Sequence, residues 1–95
     1  MKAVLCKAWG SPESLVVEDV ATPEPGPGEI VIAVKAVGLN FFDTLIIAGK
    51  YQYKPDLPFS PGAEIAGVVS AVGRHVSDFA EGDRVMSHLY WGGCR

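Results

Sequence analysis

The chain has 95 residues, of which 48% are hydrophobic and 20% charged, with a net charge of −3. That length allows at most one domain with a modest core, and the composition is ordinary for a soluble globular protein. The 8 Lys and Arg are scattered, which excludes a basic nucleic-acid surface, and no apolar run approaches the roughly 20 residues of a membrane span.

The N-terminus, Met1–Gly10, has a short apolar run broken by Lys7 and no small-residue cleavage site, so no signal peptide is expected. A cytoplasmic location follows as the expectation. Cys6 and Cys94 lie at opposite ends and are expected to be reduced thiols.

In chain order, residues 2–9 alternate Ala3, Leu5 and Lys7 with Val4, Cys6 and Ala8, which predicts a strand. Gly10, Ser11 and Pro12 predict a turn, and residues 14–20 (SLVVEDV) a second, β-branched strand. Residues 21–29 hold three prolines and two glycines, so they read as a stiff extended connection. Residues 29–40 (EIVIAVKAVGLN) are apolar on both faces and predict a strand near the middle of a sheet. Asn40 is a good N-cap, Asp43 a first-turn charge and Gly49 a C-terminal stop, which together predict a short helix over 41–48.

Residues 51–62 are too proline-rich for regular structure and form a loop of the kind that is often functional. A strand over 63–73 follows, with Gly67 marking a bulge or a close backbone approach. A polar turn over 74–83 leads to a last strand over 84–91. About five strands and one or two short helices predict a mainly β barrel or sandwich.

Few residues suggest chemistry by themselves. Cys6, Cys94, His75 and His88 lack the close spacing of a zinc site, and an ordinary solvated or packed role suits both histidines. Glu64, at the start of its strand, reads as a solvated or turn-capping carboxylate. Tyr51 and Tyr53 read as covers of an apolar patch or as a pocket wall. Neither GxGxxG nor GxxxxGK is present, and no Ser, Thr or Cys is visibly partnered with a base. No catalytic residue is assigned.

Three motifs in order, PGPGEIVI, LPFSPGAEIAGVV and EGDRV, resemble the N-terminal part of medium-chain dehydrogenases/reductases. The branch they are most similar to is the zinc-independent NADPH:quinone oxidoreductases of the zeta-crystallin-like group. The resemblance implies a partly open GroES-like β-barrel over residues 1–95, a catalytic, substrate-side domain. It also implies a Rossmann cofactor domain that these residues do not include, so that the chain would be an N-terminal fragment of a homodimeric parent.

In zinc-dependent members the matching stretch reads PGHE, and its His binds the catalytic zinc; here Ala63 stands at that place. A zinc-binding Cys of those members is matched here by Asn40. Neither an amide nor a methyl group replaces thiolate or imidazole, so the resemblance implies no metal. It implies NADPH as cofactor, with Asn40 and Tyr51 as cofactor-binding residues. It further implies hydride transfer to a quinone or an α,β-unsaturated carbonyl, and inactivity of the 95 residues alone. Several relatives carry Tyr where this chain has Leu45. An enoyl reductase of the same superfamily is the near alternative. A co-chaperonin subunit is the distant one, disfavoured because its glycine-rich mobile loop is replaced here by the Pro-rich TPEPGPGEIVI.

Overall fold

The computed structural model describes Met1–Arg95. Its elements are β1 (Lys2–Leu5), β2 (Val16–Asp19), β3 (Ile30–Gly38), α1 (Phe41–Ile47), β4 (Glu64–Val72) and β5 (Arg84–His88), with one 3-10 turn over Pro12–Ser14. β1 and β2 pair in one antiparallel sheet, and β3, β4 and β5 pair in that order in a second. The architecture is mainly β, and the sheets do not close into a complete barrel.

β4 shows how sequence becomes position. Ile65, Gly67 and Val69 alternate inward, while Glu64, Ala66 and Ser70 face solvent. Gly67 lies opposite Val34, where the β3–β4 register shifts. A Cβ at Gly67 would strike the Ala33 carbonyl oxygen, so only glycine allows the strands to approach here.

α1 starts at Asn40, whose φ of −130° and ψ of 166° are those of an N-cap. It ends one residue before Ala48, and Gly49 adopts φ +70° as a C′ glycine does. Its inner face supplies Ile46 and Ile47 to a core shared with Cys6 and Phe59, against which Leu15, Phe42 and Tyr51 pack. Burying each such aliphatic side chain stabilises the fold by about 1.5–3 kcal/mol.

The Pro-rich connection before β3 is clamped. Gly28 N–H donates to the Arg74 carbonyl at 2.8 Å, Gly73 N–H to the Glu29 carbonyl at 2.8 Å, and Gly26 N–H to Glu29 Oε1 at 2.8 Å.

Three expectations need correction. The strand predicted over 2–9 ends at Leu5, and Cys6 makes one isolated bridge to Phe59. Pro58 and Pro61 flank that partner and lack the N–H groups that a longer ladder would use. The strand predicted over 84–91 ends at His88: the Leu89 N–H still bonds the Ala63 carbonyl in the register of the ladder, and the chain then turns. β3 is an edge of its sheet, and β4 holds the middle. Apolar residues on both faces report how the faces are covered, not how many strands are hydrogen-bonded alongside.

Candidate functional site

β3 and β4 run antiparallel, with Gly38 opposite Glu64, so the segments carrying Asn40 and Ala63 leave the same end of the ladder. Asn40 is exposed at the start of α1, and Ala63 is buried. Between them stands Asp43, only 6% exposed. Its Oδ2 accepts the Asn40 N–H at 2.9 Å, and its Oδ1 accepts the Gly62 N–H at 3.0 Å. One carboxylate therefore ties the helix start to the loop before β4. Charge-assisted bonds of this kind are among the stronger ones, and the helix N-terminus favours the negative charge.

Gly62 adopts φ +103°, and an added Cβ would meet Val37 Cγ1 at 3.0 Å and Cys94 Sγ at 3.1 Å. The loop is held from behind by a short backbone zipper. Gly92, Gly93 and Cys94 donate in turn to the carbonyls of Ser60, Gly62 and Pro61, at 2.7, 2.9 and 2.9 Å. The Cys94 carbonyl accepts the Val4 N–H at 2.9 Å, which links the zipper to β1.

Tyr51 is half-buried against the core. Its ring lies 4.6 Å from that of Phe42 at 89°, an edge-to-face contact. Tyr51 thus packs on Phe42 in the first turn of the helix that Asn40 caps. Two open hollows mark the surface, one lined by Gly38, Glu64, Met86 and His88 at this same end of the ladder, the other along Thr22, Pro23 and Ile30; Asn40 and Tyr51 line neither.

Of the other candidates, Glu64 and His88 share the first of these hollows, and His75 stands alone. Glu64 is exposed, pairs in register with His88, and enters neither of the two ion pairs, Lys2–Asp19 and Lys7–Glu18. His75 is exposed in a turn at φ 69°. No group of three or more His, Cys, Asp or Glu side chains is placed to hold a metal ion. Cys6 and Cys94 are free thiols. Burial pushes both up from the ordinary thiol value; a backbone hydrogen bond to Ala8 partly offsets this at Cys6, and the charge of Asp43 adds to it at Cys94. No helix is long and apolar enough to cross a membrane.

The alcohol dehydrogenase GroES-like domain matches this chain over residues 26–95. The chain belongs to that family. This GroES-like domain is 44% identical over 88 residues to a quinone oxidoreductase of Lama guanicoe, a match covering 92% of this chain and 27% of the relative. It superposes on a probable oxidoreductase from Mycobacterium abscessus with a TM-score of 0.90 and 45% identity, covering 99% of this chain and 30% of that one. Escherichia coli quinone oxidoreductase complexed with NADPH gives a TM-score of 0.90 at 36% identity, with 98% and 28% covered. The GroES-like domain therefore spans little more than a quarter of the length of these relatives.

Asp43 is the residue that sequence reasoning undervalued. Its position three residues after an N-cap is a local capping-box signal. Its bond to Gly62, nineteen residues on, carries no local signal.

Proposed function

We propose that the protein carrying this chain is an NADPH-dependent, zinc-independent oxidoreductase of the quinone oxidoreductase kind. In this reading the chain is the substrate-side domain, and a Rossmann domain outside these residues holds most of the cofactor. The acceptor is a quinone or an α,β-unsaturated carbonyl, and the enzyme is a cytoplasmic homodimer with no nucleic-acid or membrane partner.

The observation that carries the reading is the end of α1 itself. An amide residue and a methyl residue, Asn40 and Ala63, leave one end of the β3–β4 ladder, and a buried carboxylate fixes both segments. The kinship to quinone oxidoreductases supplies the reaction class.

Asn40 and Tyr51 fit the nicotinamide end of the cofactor. Tyr51 packs against Phe42, and Asn40, two residues before Phe42, is open to a ligand. The cofactor supplies a hydride when bound. Asn40 donates or accepts a hydrogen bond from a position that Asp43 holds rigid, so little ordering is needed on binding. Tyr51 offers its hydroxyl from a ring fixed by Phe42 and the core. Positioning of this kind, rather than proton transfer by a side chain, is what the domain contributes.

The test uses the full-length protein. Asn40→Ser and Tyr51→Phe are each expected to lower kcat/KM for NADPH-dependent quinone reduction on the order of tenfold, the effect of one lost hydrogen bond, with an unchanged melting temperature. Wild-type kinetics in both variants would sink the assignment of these two residues. Elemental analysis of protein prepared without a metal-affinity tag is expected to find no stoichiometric zinc. Absence of NADPH oxidation with any quinone or enone would sink the reaction class.

A further inference from the structure

Three segments converge where the three-stranded sheet meets α1: residues 36–48, 59–72 and 85–94. They carry Asp43 and Glu64 but no Lys or Arg. Asp43 uses both oxygens internally, on the Asn40 and Gly62 N–H groups. Glu64 differs. It enters neither ion pair of the structure, no hydrogen bond holds its carboxylate, and its cross-strand neighbour His88 forms no ion pair with it.

An exposed carboxylate is commonly just solvated, and exposure alone would carry nothing. This one has a defined seat. Gly38, Glu64 and His88 form one row across the sheet. Glu64 Oε2 lies over Gly38, where an added Cβ would come within 2.7 Å of it. The missing side chain at 38 thus leaves room for the carboxylate, two residues before Asn40 along the chain. The hollow around it is lined largely by Ala36, Ile65, Ala66 and Met86. A negative charge beside apolar surface, with no cation in the surrounding segments, keeps more of its field than a paired one.

We propose that Glu64 supplies the charge that favours the oxidised, cationic nicotinamide over the reduced one at this end of the ladder. This rests on the assignment of Asn40 to the nicotinamide end of the cofactor. Hydride transfer breaks a C–H bond of the reduced ring and forms a bond to hydrogen on the acceptor. Both electrons travel with the hydrogen, the acceptor takes its balancing proton from water, and the ring is left with one positive charge. A fixed negative charge nearby lowers the energy of that state and of the approach to it, and leaves the neutral reduced ring almost unaffected. The role is electrostatic and acts through space, so it requires the charge of Glu64 and not its shape.

The experiment titrates the full-length protein with NADP+ and NADPH separately, by calorimetry. The two nucleotides share every phosphate and differ at the nicotinamide ring, so the ratio of their Kd values reads the ring alone. Glu64→Gln keeps the shape at an exposed position. It is expected to weaken NADP+ binding roughly fivefold and NADPH binding less than about twofold, with an unchanged melting temperature. Its kcat/KM for quinone reduction is expected to fall in the same direction. Glu64→Asp keeps the charge and is expected to hold the ratio within about twofold of wild type. A wild-type ratio in the Gln variant would overturn the role of Glu64. Equal weakening of both nucleotides would also overturn it, because Glu64 would then serve the packing of the site as a whole. Either result with active wild-type enzyme leaves the reaction class standing. If the wild type binds both nucleotides but reduces no quinone or enone, the reaction class fails and the ratio still decides Glu64. If it binds neither, the cofactor reading and the role of Glu64 fall together.

Discussion

Ile46 on α1 is 1% exposed, whereas Met86 on β5 is 86% exposed. Around Ile46, the residues Cys6, Ile47 and Phe59 close on one another from three distant stretches of chain. Around Met86, the outer face of the sheet presents Ala36 and Ala66 to solvent over an open hollow. Both regions are apolar, but only the first has apolar partners on every side. Tyr51 packs against the first, and Asn40 and Asp43 stand at the start of the helix that supplies it. The residues proposed to meet the cofactor are thus mounted on the helix and loop that build the packed region, and the three-stranded sheet serves as the frame that delivers the chain to that point.

The contrast breaks most readily at its two poles. Ile46→Ala is expected to cost about 3 kcal/mol in urea denaturation, from lost transfer energy and a residual cavity. Met86→Ala is expected to stay within about 0.5 kcal/mol. Similar values for the two would mean that the packed region is not the stable one.

Asp43→Asn sharpens the contrast at the junction of helix and loop. The amide has one acceptor oxygen where the carboxylate has two, so either the Asn40 or the Gly62 N–H loses its buried partner. A loss of about 2 kcal/mol is expected, together with faster hydrogen exchange at those two amides. Unchanged exchange at Gly62 would show that the backbone zipper alone holds the loop.

The thiols give a pH test of the same packed side. Both folded-state values lie above the ordinary 9.0, so the fold prefers the neutral thiol. That contribution to stability is complete below the ordinary value and is lost as pH rises through the elevated ones. Near pH 9.0 both cysteines are expected to alkylate more slowly in native than in denatured protein. Cys94→Ala is expected to flatten part of the alkaline decline in melting temperature. Equal native and denatured rates would mean that neither thiol is protected.

The smallest effect is expected on the surface of the two-stranded sheet. Lys2 and Asp19 pair at 3.0 Å in full view of solvent. Lys2→Ala should change stability by less than about 0.5 kcal/mol, and the difference should shrink with added salt.

Local patterns in the sequence explain the parts of the fold that depend on neighbours in the chain. The alternation of β4 and the N-cap and C′ glycine of α1 follow from residues a few positions apart, and a lone glycine inside a strand pattern was enough to flag Gly67. What depended on distant partners was harder to read. The apolar faces of β3 suggested a central strand, although pairing order, which they do not encode, puts it at the edge. Tyr51 and Tyr53 could be read as a possible wall, but Tyr90 looked like a strand residue until the chain was seen to turn after His88. Asp43 looked like a helix-dipole charge because its second partner, Gly62, becomes a neighbour only in three dimensions.

The backbone zipper between residues 60–62 and 92–94 also sets an order of events during synthesis. Ribosomes add about 5–20 residues per second, and the chain emerges from its N-terminus. α1 and the first partners of the core exist long before Gly92, Gly93 and Cys94 are made. Ser60, Pro61 and Gly62 therefore wait, for seconds, with carbonyls that only those three later residues will bind. Until then β1 also lacks the Cys94 carbonyl that its Val4 N–H will use. Contacts so far apart in sequence form slowly. The loop that shapes the α1 end is thus among the last parts of this domain to settle, and a pause in translation before residue 92 would prolong its unpaired state.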